Sequence, residues 1–256
     1  MLITMVTYDH PDNGRSDMSR QTYESLLRTV DFKTHRLAVV DNASTDENTH
    51  KLLQRIIDDG HMVFKSFENI GTARAINMTW QQRRPGEHAV KMDNDVVIHQ
   101  AGWADLMVEA FHREPRLGVV GLKRVDLEER PDHPNPFFRS TMIQTLGEPE
   151  IILEKVHHVI GTCQAYRSEL LDEMGYLYQM GGLYGFDDAD GCFRSIQLKY
   201  WNAFLVGIDI DHIDPGTTIF TKWKQTYAFP RQKQWSYLMK DYQAGRVPLY
   251  HGPEDE

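Results

Sequence analysis

Short apolar runs bounded by polar turn residues alternate with stretches of helical periodicity through the first half of the chain, the pattern of βαβ units. Four runs read as strands: Leu2 to Thr7, Arg36 to Asp41, Met62 to Phe67 and Ala89 to Met92. Between the second and third, Leu52, Leu53, Ile56 and Ile57 recur at helical spacing, and Ser44 with Glu47 reads as a Ser-x-x-Glu capping box opening that helix. Further helices are predicted from about Thr72 to Gln82 and from Gly102 to Arg113, the second leading into a strand at Gly118 to Leu122. Later, Cys192, Phe193 and Ile196 space as a helix with an acidic first turn, Ala203 to Val206 reads as a strand, and Ile208 to Ile213 alternates. Pro131, Pro134 and Pro136 among many charges make Asp126 to Arg139 a long surface loop. After Thr221 aromatics interleave with bases, from Lys222 and Trp223 to Tyr237 and Lys240, which reads as a separate C-terminal extension. The expected class is α/β, with a mostly parallel central sheet flanked by helices.

One run departs from the binary pattern. Val90 to Ile98 reads as a buried strand, yet Asp93 and Asp95 interrupt it. Two ionised carboxylates ~4 Å apart repel by roughly 4 kcal/mol at an effective dielectric of ~20, so a cation or a shared proton must offset them. Oxygen ligands suit Mg2+ or Mn2+, which keep positions open for water and substrate phosphates. The plain alternative is a strand ending in a polar turn.

Composition narrows the picture. A chain of 256 residues can bury a sizeable core without staples, and no apolar run approaches the ~18 residues of a membrane span. Met1 to Val6 is too short for a secretory leader, so a cytoplasmic location is expected. Cys163 and Cys192 are the only cysteines and lack Cys-x-x-Cys spacing, which disfavours a zinc site or a disulfide framework. The net charge of −9 argues against nucleic acid as a partner.

In open α/β sheets ligands sit beyond the carboxyl ends of parallel strands. Those ends carry Thr7-Tyr8-Asp9, Asp41-Asn42-Ala43-Ser44-Thr45-Asp46, Asn69-Ile70-Gly71 and Asp93-Asn94-Asp95. A nucleotide could lie across them, although an Asx turn with a helix cap also accounts for much of 41–46, and a plain turn for 69–71. In this order, the elements resemble family 2 of the GT-A-fold (Rossmann-like) glycosyltransferases over roughly residues 1 to 215. Val39 to Asp46 resembles the family's Val-Asp-Asn-Gly-Ser-Thr-Asp element, Asn69 to Asn77 its Asn-x-Gly helix start, and Asp93-Asn94-Asp95 its metal-binding DxD. Gly161 to Arg167 is similar to the stretch before the acceptor site, and Gly185 to Asp190 to the Glu-Asp-x-Asp element that supplies the base, with Asp187 where Glu is usual.

The resemblance implies an inverting, Mn2+- or Mg2+-dependent transfer from a nucleotide-diphosphate sugar (UDP-, GDP- or dTDP-linked) to a hydroxyl acceptor, with a saccharide expected. It implies donor contacts from Thr7, Tyr8, Asp41, Asn42, Asn69, Gly71, Arg74, Asp93 and Asn94. Asp93, Asp95 and His212 would hold the metal, Gly161, Thr162 and Asp187 would stand on the acceptor side, and Asp188 would be the general base. It further implies a glycosyltransferase domain over 1–220, its nucleotide-binding half about 1–98 and its acceptor-side half about 99–220, with 221–256 as the extension. Several family members place an Arg beside the position of Asn77 to contact the nucleotide, whereas here the only arginine nearby is Arg74, and Asp12 to Arg20 reads as an insertion between the first strand and its helix. The acids of 187–190 also suit a helix N-terminus, and His212 also suits a buried histidine bonded to backbone. The basic, aromatic extension could close over the diphosphate, grip a sugar, or dock on a second copy of the chain or an anionic surface. A non-catalytic glycan- or partner-binding module keeping the same fold is the competing reading.

Overall fold

The computed structural model describes residues 1–125, 142–148, 150–179, 183–216, 222–223 and 226. The loop expected at Asp126 to Arg139 and most of the extension after 221 lie outside them. The described elements are β1 (Leu2–Thr7), α1 (Arg15–Thr29), β2 (Arg36–Asn42), α2 (Glu47–Asp58), β3 (Met62–Ser66), α3 (Thr72–Trp80), β4 (Ala89–Met92) and β5 (Val96–Ile98). There follow α4 (Trp103–Arg113), β6 (Leu117–Arg124), β7 (Met142–Leu146), β8 (Ile151–Val156), β9 (Cys163–Tyr166), α5 (Ser168–Met174), α6 (Asp187–Gln197) and β10 (Trp201–His212).

One sheet runs through them in the order β3-β2-β1-β4-β9-β6-β10-β8-β7, with β5 paired to β10. β1 to β4 are parallel, as the alternation with helices requires. Beyond β4 the sheet is mixed: β6 and β10 pair parallel, whereas β9, β8, β7 and β5 pair antiparallel with their neighbours. The expectation of a mostly parallel sheet therefore holds only for the first half. The reason is connectivity, since the second half lacks regular strand–helix alternation and includes the direct β7–β8 hairpin.

Alternation along the strands divides the core. Ile3, Met5, Leu37 and Val39 face one cluster with Tyr23 and Leu26 of α1 and Leu53 and Ile56 of α2. Leu2 and Ala38 face the opposite one with Ala73, Ile76 and Trp80 of α3. The central strands are thus covered on both faces, so they read as continuous apolar runs rather than alternating ones. Each such side chain contributes roughly 1.5–3 kcal/mol by burial.

Three local expectations are corrected. The run from Val90 to Ile98 is not one strand: it breaks after Met92, and β5 turns to pair antiparallel with β10, Val96 opposite His212. β10 reaches β5 by bending, with a register shift between Leu205 and Asp209 around Gly207, whose φ is 88°. The capping box at Ser44 and Glu47 does not form. Asp46 caps α2, accepting from the N–H groups of Asn48 and Thr49, while the Ser44 hydroxyl accepts from the Asp9 N–H at 2.9 Å. Nor is Asp12 to Arg20 an insertion ahead of a helix, because α1 already begins at Arg15, after Gly14 in the left-handed region. Among the described residues no helix is long and apolar enough to cross a membrane.

Candidate active site

The parallel registers bring the carboxyl ends of β1, β2 and β4 level, with Thr7 opposite Asp41 and Met5 opposite Met92. A cleft open to solvent lies over these ends, and its walls include Tyr8, Arg15, Asn42, Asn69, Asp93 and Asn94. Trp223, the one described aromatic of the extension, also lines it and packs 5.5 Å from the Tyr8 ring.

Asn42 organises the turn after β3. Its Nδ2 donates to Asn69 Oδ1 at 2.9 Å and its Oδ1 accepts from the Ile70 N–H at 3.0 Å. Asn69 Oδ1 also accepts from the Gly71 N–H at 3.0 Å. Gly71 has φ 92°, and a β-carbon there would stand 2.6 Å from Gln179 Oε1, so the position suits only glycine. Thr7 and Asp41 support the wall from behind: the Thr7 hydroxyl donates to the Val40 carbonyl at 3.4 Å, and Asp41 Oδ1 accepts from the Ser44 N–H at 2.9 Å. Arg74 is exposed on α3 and is not among the residues lining the cleft.

Two bridges tie the β4 tip to the start of α6. The Asp93 N–H donates to the Thr162 carbonyl at 3.0 Å, and the neighbouring Gly161 N–H donates to Asp188 Oδ2 at 2.9 Å. Lys91 Nζ lies 2.6 Å from Asp187 Oδ2, both side chains being buried. A β-carbon on Gly161 would come within 2.5 Å of Lys91 Nζ and 2.9 Å of the Asp188 Cβ, which is why glycine stands where these elements meet. Phe186, at φ 67°, takes a strained left-handed turn that starts α6 with Asp187 and Asp188.

The Asp188 carboxylate accepts from the Ala189 N–H at 2.8 Å and has His158 Nε2 at 3.2 Å. Burial works against its charge, but His158, the charge of Lys91 and the Ala189 N–H outweigh it and hold the carboxyl below the usual carboxylate range. Burial would likewise lower the Lys91 ammonium, yet Asp187, Asp93 and Asp188 raise it above its ordinary value. Replacing Lys91 by Met should therefore destabilise the fold by about 3–5 kcal/mol, the cost of leaving a buried carboxylate unbalanced. Urea denaturation at neutral pH measures this, and a loss under about 1 kcal/mol, typical of an exposed pair, would contradict it.

Asp95 faces another neighbour. Arg15 Nη2 donates to Asp95 Oδ2 at 2.8 Å and to Asn94 Oδ1 at 2.6 Å, while Arg15 Nη1 donates to Asp214 Oδ2 at 2.9 Å. Asn94 is oriented by Asp9, which accepts from its Nδ2 at 3.1 Å and whose carboxyl is raised by burial. The β5–β10 pairing brings His212 Nε2 to 3.5 Å from the same Asp95 oxygen. Asp95 and His212 thus converge, whereas Asp93 stands on the cleft wall. Among the described residues no three His, Cys, Asp or Glu side chains form a ready-made metal cage.

Arg15, Lys91 and His158 were not singled out from the sequence as site residues. Arg15 falls within the stretch expected ahead of the helix, so its place at the start of α1 carried no signal in the sequence.

The model of the family described as "Glycosyl transferase family 2" matches residues 3–175, more than half of the chain. The O-antigen biosynthesis protein RfbC of Myxococcus xanthus is 28% identical over 113 residues, 44% of this chain but only 9% of that protein. Among solved structures, the mannosyltransferase PcManGT from Pyrobaculum calidifontis, in complex with GDP-Man and Mn2+, superposes with a TM-score of 0.64 at 18% identity, covering 87% of this chain and 59% of its own. S. aureus TarS 1-349 in complex with UDP-GlcNAc gives 0.59 at 18% identity, covering 82% and 58%. The structural likenesses show the GT-A fold, and this chain spans less than two thirds of each of these proteins. With the family match spanning the β1–β4 tips and Gly161–Thr162, the chain belongs to glycosyl transferase family 2.

Proposed function

We propose that this chain is a metal-dependent, inverting glycosyltransferase that moves a sugar from a UDP-, GDP- or dTDP-linked donor to a hydroxyl acceptor, with a saccharide expected. The observation that carries this reading is the pair of hydrogen bonds through Gly161 and Thr162, which sets a carboxylate, Asp188, one short loop from the Asp93 tip of the donor cleft. GDP-Man and UDP-GlcNAc in the solved relatives support the donor class. The nucleotide-binding half is proposed as about 1–98, the acceptor half as 99–220 and the extension as 221–256. The two free, buried cysteines suit the reducing, cytoplasmic setting proposed with it.

In this reading the nucleoside lies against Tyr8, Asn42 and Asn69, and the diphosphate points toward Asp93 and Asn94. An acceptor hydroxyl approaches from the Asp188 side. As its oxygen bonds to the anomeric carbon, the bond from that carbon to the β-phosphate oxygen breaks, its electrons leave with the diphosphate, and the hydroxyl proton passes to Asp188. Attack opposite the leaving group inverts the anomeric centre, as in inverting hydrolases. Lys91 and His158 keep Asp188 ionised, ready to accept.

The residues fit a divalent ion. Asp93 and Arg15 line this end of the cleft, and Asp95 and Asp214 both pair with Arg15, so three carboxylates gather about one guanidinium, with the Lys91 ammonium paired to Asp187. The 3.5 Å between Asp95 and His212 is near the roughly 3 Å kept by adjacent ligands of a small octahedral ion with ~2.1 Å bonds. Mn2+ or Mg2+ would be held by Asp95 and His212 with Asp93 on the donor side, the remaining positions going to water and substrate phosphates. Such an ion would neutralise charge developing on the leaving diphosphate.

Thermal-shift measurements with UDP, GDP and dTDP, each with Mn2+ or EDTA, test the donor site. One nucleotide at about 100 times its Kd should stabilise by about 2.7 kcal/mol, a rise of several degrees, and only with metal. No stabilisation by any of the three would count against the reading. Mass spectrometry of a donor panel then separates an enzyme, which forms product, from a glycan-binding module, which depletes donor no faster than buffer.

A further inference from the structure

Arg15 stands on the carboxylate that the donor site needs, and that position has a consequence for how the site fills. We propose that Arg15 is a resident counter-cation: it holds Asp95 and Asp214 before the donor arrives and competes with the divalent ion, so that the ion binds tightly only together with the nucleotide diphosphate.

The geometry is specific. Both terminal nitrogens of Arg15 are committed, Nη2 to Asp95 and Asn94 and Nη1 to Asp214, at 2.6 to 2.9 Å, with the side chain only 4% exposed. The oxygen that receives Nη2 is the one His212 Nε2 approaches at 3.5 Å, so a guanidinium and any ion on Asp95 and His212 must share one carboxylate atom. The arrangement is held from several sides. The Ile213 N–H donates to the Asp95 carbonyl at 2.9 Å, which fixes Asp214 beside the tip, and the Ser19 hydroxyl and Asp9 hold Asn94 from below. A guanidinium cannot lose its proton in a protein, so this charge is permanent. Its place in the first turn of α1 opposes the helix dipole, so the dipole does not account for it.

A second cation entering beside Arg15 meets like-charge repulsion that a diphosphate, arriving with its own negative charges on the same cleft wall, removes. Binding of ion and nucleotide is therefore positively coupled, and by linkage each raises the affinity of the other by the same factor. Arg15 sets part of that factor.

This rests on the cation site proposed above, and the test separates the two. Free Mn2+ is titrated by electron paramagnetic resonance against the full chain, with and without whichever of UDP, GDP or dTDP stabilises it. Wild type should bind Mn2+ weakly alone and on the order of tenfold or more tighter with nucleotide, within the usual 5–150-fold range of coupling. Arg15→Gln should bind Mn2+ about tenfold tighter than wild type without nucleotide and show a smaller coupling, whereas Arg15→Lys, which keeps the charge, should stay near wild type. Unchanged or weaker nucleotide-free binding in Arg15→Gln would overturn the proposal and leave Arg15 a structural strut. Should Arg15→Gln fail to fold, Asp214→Asn decides: leaving Arg15 to Asp95 alone, it should weaken nucleotide-free Mn2+ binding and recover most of the loss with nucleotide, and wild-type binding in both conditions would overturn the proposal. No Mn2+ binding by any variant in either condition would overturn both this proposal and the cation site.

Discussion

Asp188→Asn is expected to keep nucleotide binding and lose transfer by about 10²–10⁴-fold, the usual worth of a positioned general base. The amide can still accept from the Gly161 N–H, so the link to the Asp93 tip should survive and the fold with it. Nucleotide affinity and the rate of product formation, measured on the same preparation, separate the two effects. Activity within a few-fold of wild type would remove Asp188 from its role. The same carboxylate makes a pH prediction. Because His158 and Lys91 hold its pKa below the ordinary value of about 3.9, its contribution to stability is complete above that value and is lost only as pH falls further. Asp188 therefore stays ionised from about pH 5 upward, and an acid limb of kcat/KM inside pH 5–8 must come from another group.

Asp95→Ala carries the other large effect, because the proposed metal role and the Arg15 contact meet in one side chain. Its loss leaves Arg15 buried with Asp214 as its remaining carboxylate, which should cost about 1.5–3 kcal/mol of stability, the worth of one charge-assisted hydrogen bond. It should also abolish the metal-dependent stabilisation by nucleotide. Asp93→Asn, on the cleft wall, is the control: it should keep the fold and lose only the metal-dependent response. Chemical denaturation with and without nucleotide and Mn2+ reads both. A variant at Asp95 that is as stable as wild type would show that the Arg15 contact contributes little.

Much of the first half was legible from the chain, since buried parallel strands announce themselves as unbroken apolar runs. β1 and β4 occupy the very residues expected, Leu2–Thr7 and Ala89–Met92, and α3 starts at Thr72 as its Asn-x-Gly approach implied. Their polar ends were therefore found too, and Tyr8, Asn42, Asn69, Asp93 and Asn94 do line one cleft. What was not legible depends on contacts between distant segments. No local pattern says that β5 leaves the line of β4 to pair with β10, yet that pairing brings His212 and Asp214 to Asp95 and Arg15. Nor does any local pattern pair Lys91 of β4 with Asp187, which α6 brings to it from 96 residues further along the chain. At Ser44 two polar uses of one hydroxyl competed, and a contact with the Asp9 backbone prevailed over a local cap.

The most direct test is a crystal structure with the best-stabilising nucleotide and Mn2+, with anomalous scattering locating the ion. The account predicts a diphosphate over the β1, β2 and β4 ends and manganese on Asp95 and His212, with Asp188 facing the far side of the donor's anomeric position. A nucleotide bound elsewhere, or a diphosphate seated there with Arg15 still on Asp95 and no manganese beside it, would contradict it.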